Sequence, residues 1–202
     1  GDVLALLEQE GIERFVAIGT SLGGLMTMLM AAVAPQRIAG AVLNDIGPVV
    51  DPSGIDRIRE YVGQARSFPT WMHAARALQD VHGPSHPGFG IDDWLAMAKR
   101  CMVVQQNGRI GFDYDMAIAE PFRDADGAVP PDLWPAFEAL AGVPVLIVRR
   151  GASDLLTADT LAEMLRRHPD ADSVVIPDVG HAPTLDEPEA VTAIDRLLAR
   201  LP

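Results

Sequence analysis

Phe15-Val16-Ala17-Ile18-Gly19-Thr20-Ser21-Leu22-Gly23-Gly24-Leu25 joins a short apolar run, a glycine-rich turn and a second apolar run. The first run, Arg14 to Ile18, reads as a buried strand leading into Gly19. The second, from about Leu22 to Ala34, is apolar almost all round, which predicts a buried helix that Pro35 stops. Ile38-Ala39-Gly40-Ala41-Val42-Leu43 then reads as another buried strand, ending at Asn44-Asp45. Strand, helix and strand in that order predict a parallel α/β unit with a right-handed crossover.

Working outward, Val3, Leu4, Leu6 and Leu7 share a helical face, and Gly11 stands where a helix C-cap glycine belongs. Beyond Gly47 the rhythm stops. Up to about Leu140 no continuous buried-strand run occurs; helical stretches near Ile55–Gln64, Trp71–Val81 and Ile91–Met102 are divided by Pro and Gly. Ten of the 11 aromatic residues fall in this stretch. Either they build a core for a helical insertion, or some of them line an apolar substrate pocket. The strand–helix rhythm resumes with a strand at Val143–Val148, an amphipathic helix at Thr157–Arg167, a strand at Ser173–Ile176 and a closing helix at Glu187–Leu201. The expected division is a core of residues 1–47 and 141–202 around an insertion of residues 48–140.

The 202 residues suit one globular domain, or a domain plus a small insertion, and the 49% hydrophobic and 22% charged content is that of a folded protein. Sixteen basic against 28 acidic residues, with a single lysine at position 99, argue against nucleic acid and against a polybasic membrane patch. The longest apolar stretch, Leu25 to Ala34, is too short to span a bilayer, and no signal-peptide pattern opens the sequence. A soluble, cytoplasmic protein is expected. Cys101, the one cysteine, allows neither an internal disulfide nor a thiolate metal cluster.

Gly19-Thr20-Ser21-Leu22-Gly23 fits G-x-S-x-G at a strand-to-helix turn. Glycines on both sides are expected to relieve crowding around a strained serine, which is then presented at the strand's carboxyl end. The Leu22 N–H would point to where a tetrahedral oxyanion forms. A serine hydroxyl needs a base. His73, His82 and His86 lie in the insertion, and Gly83-Pro84 disfavours a metal-binding helical pair there; His168 ends a helix, where a cation suits the dipole. His181, in Val179-Gly180-His181-Ala182-Pro183, follows the last strand at the same sheet edge as Ser21. For the acid that orients it, Asp154 in Gly151-Ala152-Ser153-Asp154 lies just past a strand end and gives the order Ser, Asp, His. Asp45 is the rival.

With these motifs the sequence resembles the α/β-hydrolase superfamily, specifically its capped bacterial members. The resemblance implies a mostly parallel sheet flanked by helices, with Ser21 as nucleophile, His181 as general base and Asp154 as its partner. Leu22 would supply one oxyanion donor, and the 48–140 stretch a helical cap. No cofactor or metal is implied, and the substrate would be a small molecule. A serine favours acyl chemistry on an ester or lactone over the aspartate-based reactions of the superfamily. A C–C hydrolase of aromatic ring-cleavage products, a cofactor-free perhydrolase and a catalytically silent binding protein are the alternatives. Members of the family begin with about four further strands that carry the second oxyanion donor. The N-terminal half of the sheet is therefore expected from the same longer chain or from a partner chain, and the strand at Phe15 should have a bare edge.

Overall fold

A computed structural model describes residues 1–120, 131–177 and 181–201. Two compact units form, residues 1–54 with 130–202, and residues 55–129. Both boundaries fall inside the 48–140 expected from the sequence. The physical reason at the second boundary is packing, because Phe137 and Leu140 join the core of the first unit.

In the first unit, α1 (Asp2–Gln9) precedes β1 (Phe15–Thr20), α2 (Leu22–Val33) and β2 (Ile38–Asn44). After the insertion come α6 (Trp134–Glu138), β6 (Val145–Arg150), α7 (Ala158–Arg167), β7 (Asp172–Ile176) and α8 (Pro188–Leu198). All strand pairings are parallel, in the order β1-β2-β6-β7. The central strands β2 and β6 read as unbroken apolar runs because both of their faces are covered. Ala41, Leu43, Val145 and Ile147 pack with Met28, Phe137 and Met164 on one face. Val42, Leu146 and Val148 pack with Ala190, Ala193 and Leu197 of α8 on the other. β1 stands at one end of the order, and Ile18 on it is 53% exposed.

Gly11 ends α1 with φ +64°, while the Gly11 N–H donates to Glu8 and the Ile12 N–H to Leu7. That is the Schellman arrangement, which the C-cap reading anticipated. His168 stands at the end of α7, as the sequence reading placed it. It is buried, and its Nε2 lies 3.2 Å from the Leu140 carbonyl, which can only accept, so Nε2 donates.

The second unit carries α4 (Trp71–His82) and α5 (Ile91–Cys101). It also holds strands that the sequence reading missed: β3 (Ser67–Phe68), β4 (Met102–Val104) and β5 (Ile110–Phe112) form an antiparallel sheet in the order β3-β5-β4. Strands of two or three residues are too short for alternation to show. The preceding helix, α3 (Pro52–Arg59), starts earlier than the Ile55 expected. Asp51 Oδ1 accepts from the Ser53 N–H at 2.9 Å, and Pro52 sits at the first helical position, so capping chemistry sets the start. Trp94, 1% exposed, packs with Ala74, Ala75, Leu78, Ala98, Met102 and Ile110. Phe68, Trp71, Phe89 and Phe112, partly buried, pack against this core. The 121–130 part of the expected insertion lies outside the described residues.

Candidate active site

β1 ends at Thr20 and α2 begins at Leu22, so Ser21 is the whole junction, with φ 50° and ψ −114°. A non-glycine residue in such a conformation costs about 1–3 kcal/mol and persists only when neighbours hold it. The Ser21 N–H donates to the Asn44 carbonyl at 3.1 Å, and the Ser21 carbonyl accepts from Gly24 and Leu25 at 2.9 and 3.2 Å. The two motif glycines are not equivalent. A Cβ on Gly19 would stand 2.4 Å from the Gly23 carbonyl carbon, whereas a Cβ on Gly23 would meet nothing within 4 Å. Crowding therefore falls on the first glycine alone. This corrects the expectation that both relieve it: a Cβ at the second would stand in open space. The Leu22 N–H is a first-turn donor of α2 and has no acceptor within its helix.

Register brings the next group in. Thr20 pairs with Asn44 across β1 and β2, so the residues that follow, Ser21 and Asp45, leave adjacent strand ends side by side. Asp45 is fully buried, with φ 54°, and its N–H donates to the Val148 carbonyl at 2.7 Å. Its Oδ2 lies 2.8 Å from His181 Nδ1. A carboxylate accepts, so Nδ1 carries the proton and donates, leaving the lone pair on Nε2. Asp45 Oδ1 accepts from the Arg150 backbone N–H at 3.1 Å.

The carboxylate bonded to His181 is therefore that of Asp45, not that of Asp154 as the sequence led us to expect. Asp154 lies four residues beyond the end of β6, and its Oδ1 accepts from Arg150 Nη2 at 2.9 Å. The order Ser, Asp, His along the chain fits either aspartate; strand adjacency distinguishes them. Ser21, Asp45 and His181 all belong to the first unit.

Asn44 is a residue that the sequence reading missed. Fully buried, it donates from Nδ2 to Thr20 Oγ1 at 3.0 Å and to the Pro183 carbonyl at 2.8 Å. One side chain thus ties the end of β1 to the loop that carries His181. Glu187 holds the same loop further on, accepting from the N–H groups of Thr184 and Leu185 at 2.9 Å each. The available signal was an amide directly ending an apolar strand, immediately before Asp45. Val179 and Gly180 of the histidine motif lie outside the described residues.

The remaining histidines are not gathered. His73 Nδ1 faces Thr70 Oγ1 at 2.8 Å, and His86 Nδ1 faces the His82 carbonyl at 3.3 Å. Among the described residues no three His, Cys, Asp or Glu side chains converge to hold a metal ion. Nor is any described helix long and apolar enough to cross a membrane.

Residues 1–194 match the alpha/beta hydrolase family. The chain belongs to that family. An alpha/beta hydrolase from Novosphingobium aromaticivorans, of known crystal structure, is 61% identical with a TM-score of 0.92, over 99% of this chain and 70% of that one. A 3-hydroxybutyrate-oligomer hydrolase of Cupriavidus necator is 36% identical over 197 residues, 94% of this chain and 67% of that protein. An esterase of Mycobacterium tuberculosis is 29% identical over 186 residues, 89% of this chain and 58% of that protein. This alpha/beta hydrolase chain thus spans more than half, but not all, of the length of the relatives it matches.

Proposed function

We propose that the protein is a serine hydrolase that cleaves a small-molecule ester or lactone through an acyl-enzyme, with Ser21, His181 and Asp45 as its triad. The observation that carries this reading is the 2.8 Å bond between Asp45 and His181 Nδ1, at the strand end beside Ser21. It fixes the tautomer that leaves Nε2 free to act as a base.

Nε2 takes the Ser21 Oγ proton as Oγ bonds to the substrate carbonyl carbon, and the Leu22 N–H donates to the oxyanion that results. Collapse of the tetrahedral intermediate breaks the ester C–O bond, and the proton on Nε2 passes to the departing alcohol. Water then gives a proton to Nε2 and attacks the acyl carbon. The acid leaves, and Ser21 regains its proton. Removing one oxyanion donor in such a site costs on the order of 10²–10³ in rate. The 55–129 unit, inserted between β2 and β6, is the proposed cap and would select the substrate. The relative from Cupriavidus necator supplies the first substrate to try, an oligomer of 3-hydroxybutyrate.

The test is labelling with a fluorophosphonate probe alongside hydrolysis of that oligomer, simple esters, lactones and dienone acids. Labelling at Ser21, lost in Ser21→Ala together with turnover, is the expected result. An unlabelled Ser21 with no cleavage of any activated ester would overturn the proposal.

A further inference from the structure

Arg150, the last residue of β6, is 9% exposed, and it meets Asp45 twice. Its backbone N–H donates to Asp45 Oδ1 at 3.1 Å. Its Nε lies 3.9 Å from Asp45 Oδ2, the same oxygen that receives His181 Nδ1–H. Nε is buried and has no hydrogen-bond partner among the described residues, while Nη2 is held 2.9 Å from Asp154 Oδ1. A cation, two carboxylates and an imidazole therefore form one short row at the strand ends. Among the described residues of these segments, other charged groups are engaged as well. Arg149 donates to the Leu156 and Gly151 carbonyls, Glu187 accepts from its own loop, Asp186 accepts from Thr184 Oγ1, and Asp51 holds Ser53 while adding negative charge near Asp154.

We propose that Arg150 and Asp154 are positioning residues that act on His181 through Asp45, Arg150 fixing the carboxylate's rotation and Asp154 offsetting the guanidinium charge. This rests on the Ser21–His181–Asp45 reading. A guanidinium this close to Asp45 Oδ2 weakens the field that the carboxylate exerts on an imidazolium. Asp154 draws the cation the other way, so Asp45 keeps its hold on His181. The aspartate that the sequence put forward as the histidine's direct partner thus acts at one remove.

The experiment is the pH dependence of kcat/KM for an activated ester in the full chain and its variants. The acid limb reports loss of activity as the base is protonated. In Arg150→Gln the field of Asp45 is uncompensated, the imidazolium is favoured, and the limb should move to higher pH by about half to one unit. In Asp154→Asn the cation is unmatched, and the limb should move to lower pH by a similar amount, with kcat reduced less than about tenfold. Arg150→Lys, which retains the charge, should bring the limb back towards that of the unaltered chain. Opposite displacements support the proposal, because loss of packing alone gives no such sign reversal. Limbs that stay in place, or move together, overturn it. If Arg150→Gln does not fold, Asp154→Asn decides alone: a limb that is unmoved or shifted upward overturns the proposal. Failure of the triad reading looks different, with Asp45→Asn retaining turnover while Asp154→Asn collapses.

Discussion

Asp45 Oδ2 stands 2.8 Å from His181 Nδ1, joining residues 136 positions apart in the chain. Neither residue could be matched to the other by spacing alone. The link exists because Asp45 directly follows β2, next to Ser21 at the end of β1, and His181, beyond β7 in the chain, meets it there.

Replacing Asp45 with Asn should leave the backbone in place but present the wrong hydrogen-bonding partner to Nδ1. Turnover of an activated ester should fall roughly 10³–10⁴-fold, as expected when a triad histidine loses its tautomer control. Steady-state kinetics of Asp45→Asn, with circular dichroism to confirm the fold, provides the check. A loss below tenfold would remove Asp45 from the proposed triad.

The two motif glycines should respond in opposite ways. Gly19→Ala places a methyl group 2.4 Å from backbone that cannot swing aside, and overpacking of that kind costs about 1–3 kcal/mol or more. Gly23→Ala adds its methyl group in open space within the first turn of α2, where Ala is the better helix former by up to about 1 kcal/mol. Urea unfolding of the two variants should show one midpoint fall and the other hold or rise.

Asn44→Leu should loosen the histidine loop. The Pro183 carbonyl loses the amide that satisfies it, at a cost of about 1–3 kcal/mol for a buried unpaired group. Thermal unfolding should register this loss, and kcat should fall more than KM rises, because the change reaches the reaction through the placement of His181 and of the strand end before Ser21.

His82 makes the second unit sensitive to acid. Burial holds its imidazole below the ordinary value of 6.5, with the nearby charges of His86 and Arg57 adding to the effect. Because the folded-state value is depressed, the unfolded chain binds a proton in a pH range where the folded chain does not. Stability is therefore fully present above 6.5 and falls as the pH drops below it, until the folded-state value is reached. Unfolding midpoints between pH 7.5 and 5.5 should decline, and His82→Gln should flatten that decline. An unchanged slope in the variant would assign the acid sensitivity to another group.

The sheet core was largely legible because β2 and β6 are apolar on every side that packing requires, and such runs need no tertiary information to be recognised. The buried helix expected at α2 is corrected: Gly24, Thr27, Met28 and Ala31 are buried, but Leu22, Leu29 and Val33 are 59%, 49% and 71% exposed, because only one face of α2 packs against the sheet. Ser21 was equally plain, since glycines, strand and helix all converge on one turn. The small β3-β5-β4 sheet was not, because strands this short carry no period. Nor was Asn44 singled out, because an amide at a strand end is an ordinary residue until the loop carrying Pro183 arrives against it.

The sequence by itself therefore determined the strained Ser21 turn and the parallel core, and it singled out His181 at the far end of the chain as a candidate. All three depend on neighbours a few residues away, where propensity, burial pattern and turn chemistry act. Only the tertiary structure decided between Asp45 and Asp154. Both follow strand ends, but strand order sets which carboxylate lies beside Ser21, and order in a parallel sheet arises from crossovers that no local pattern records. Arg150 then takes Asp154 as its partner, and Asp45 is left facing the histidine.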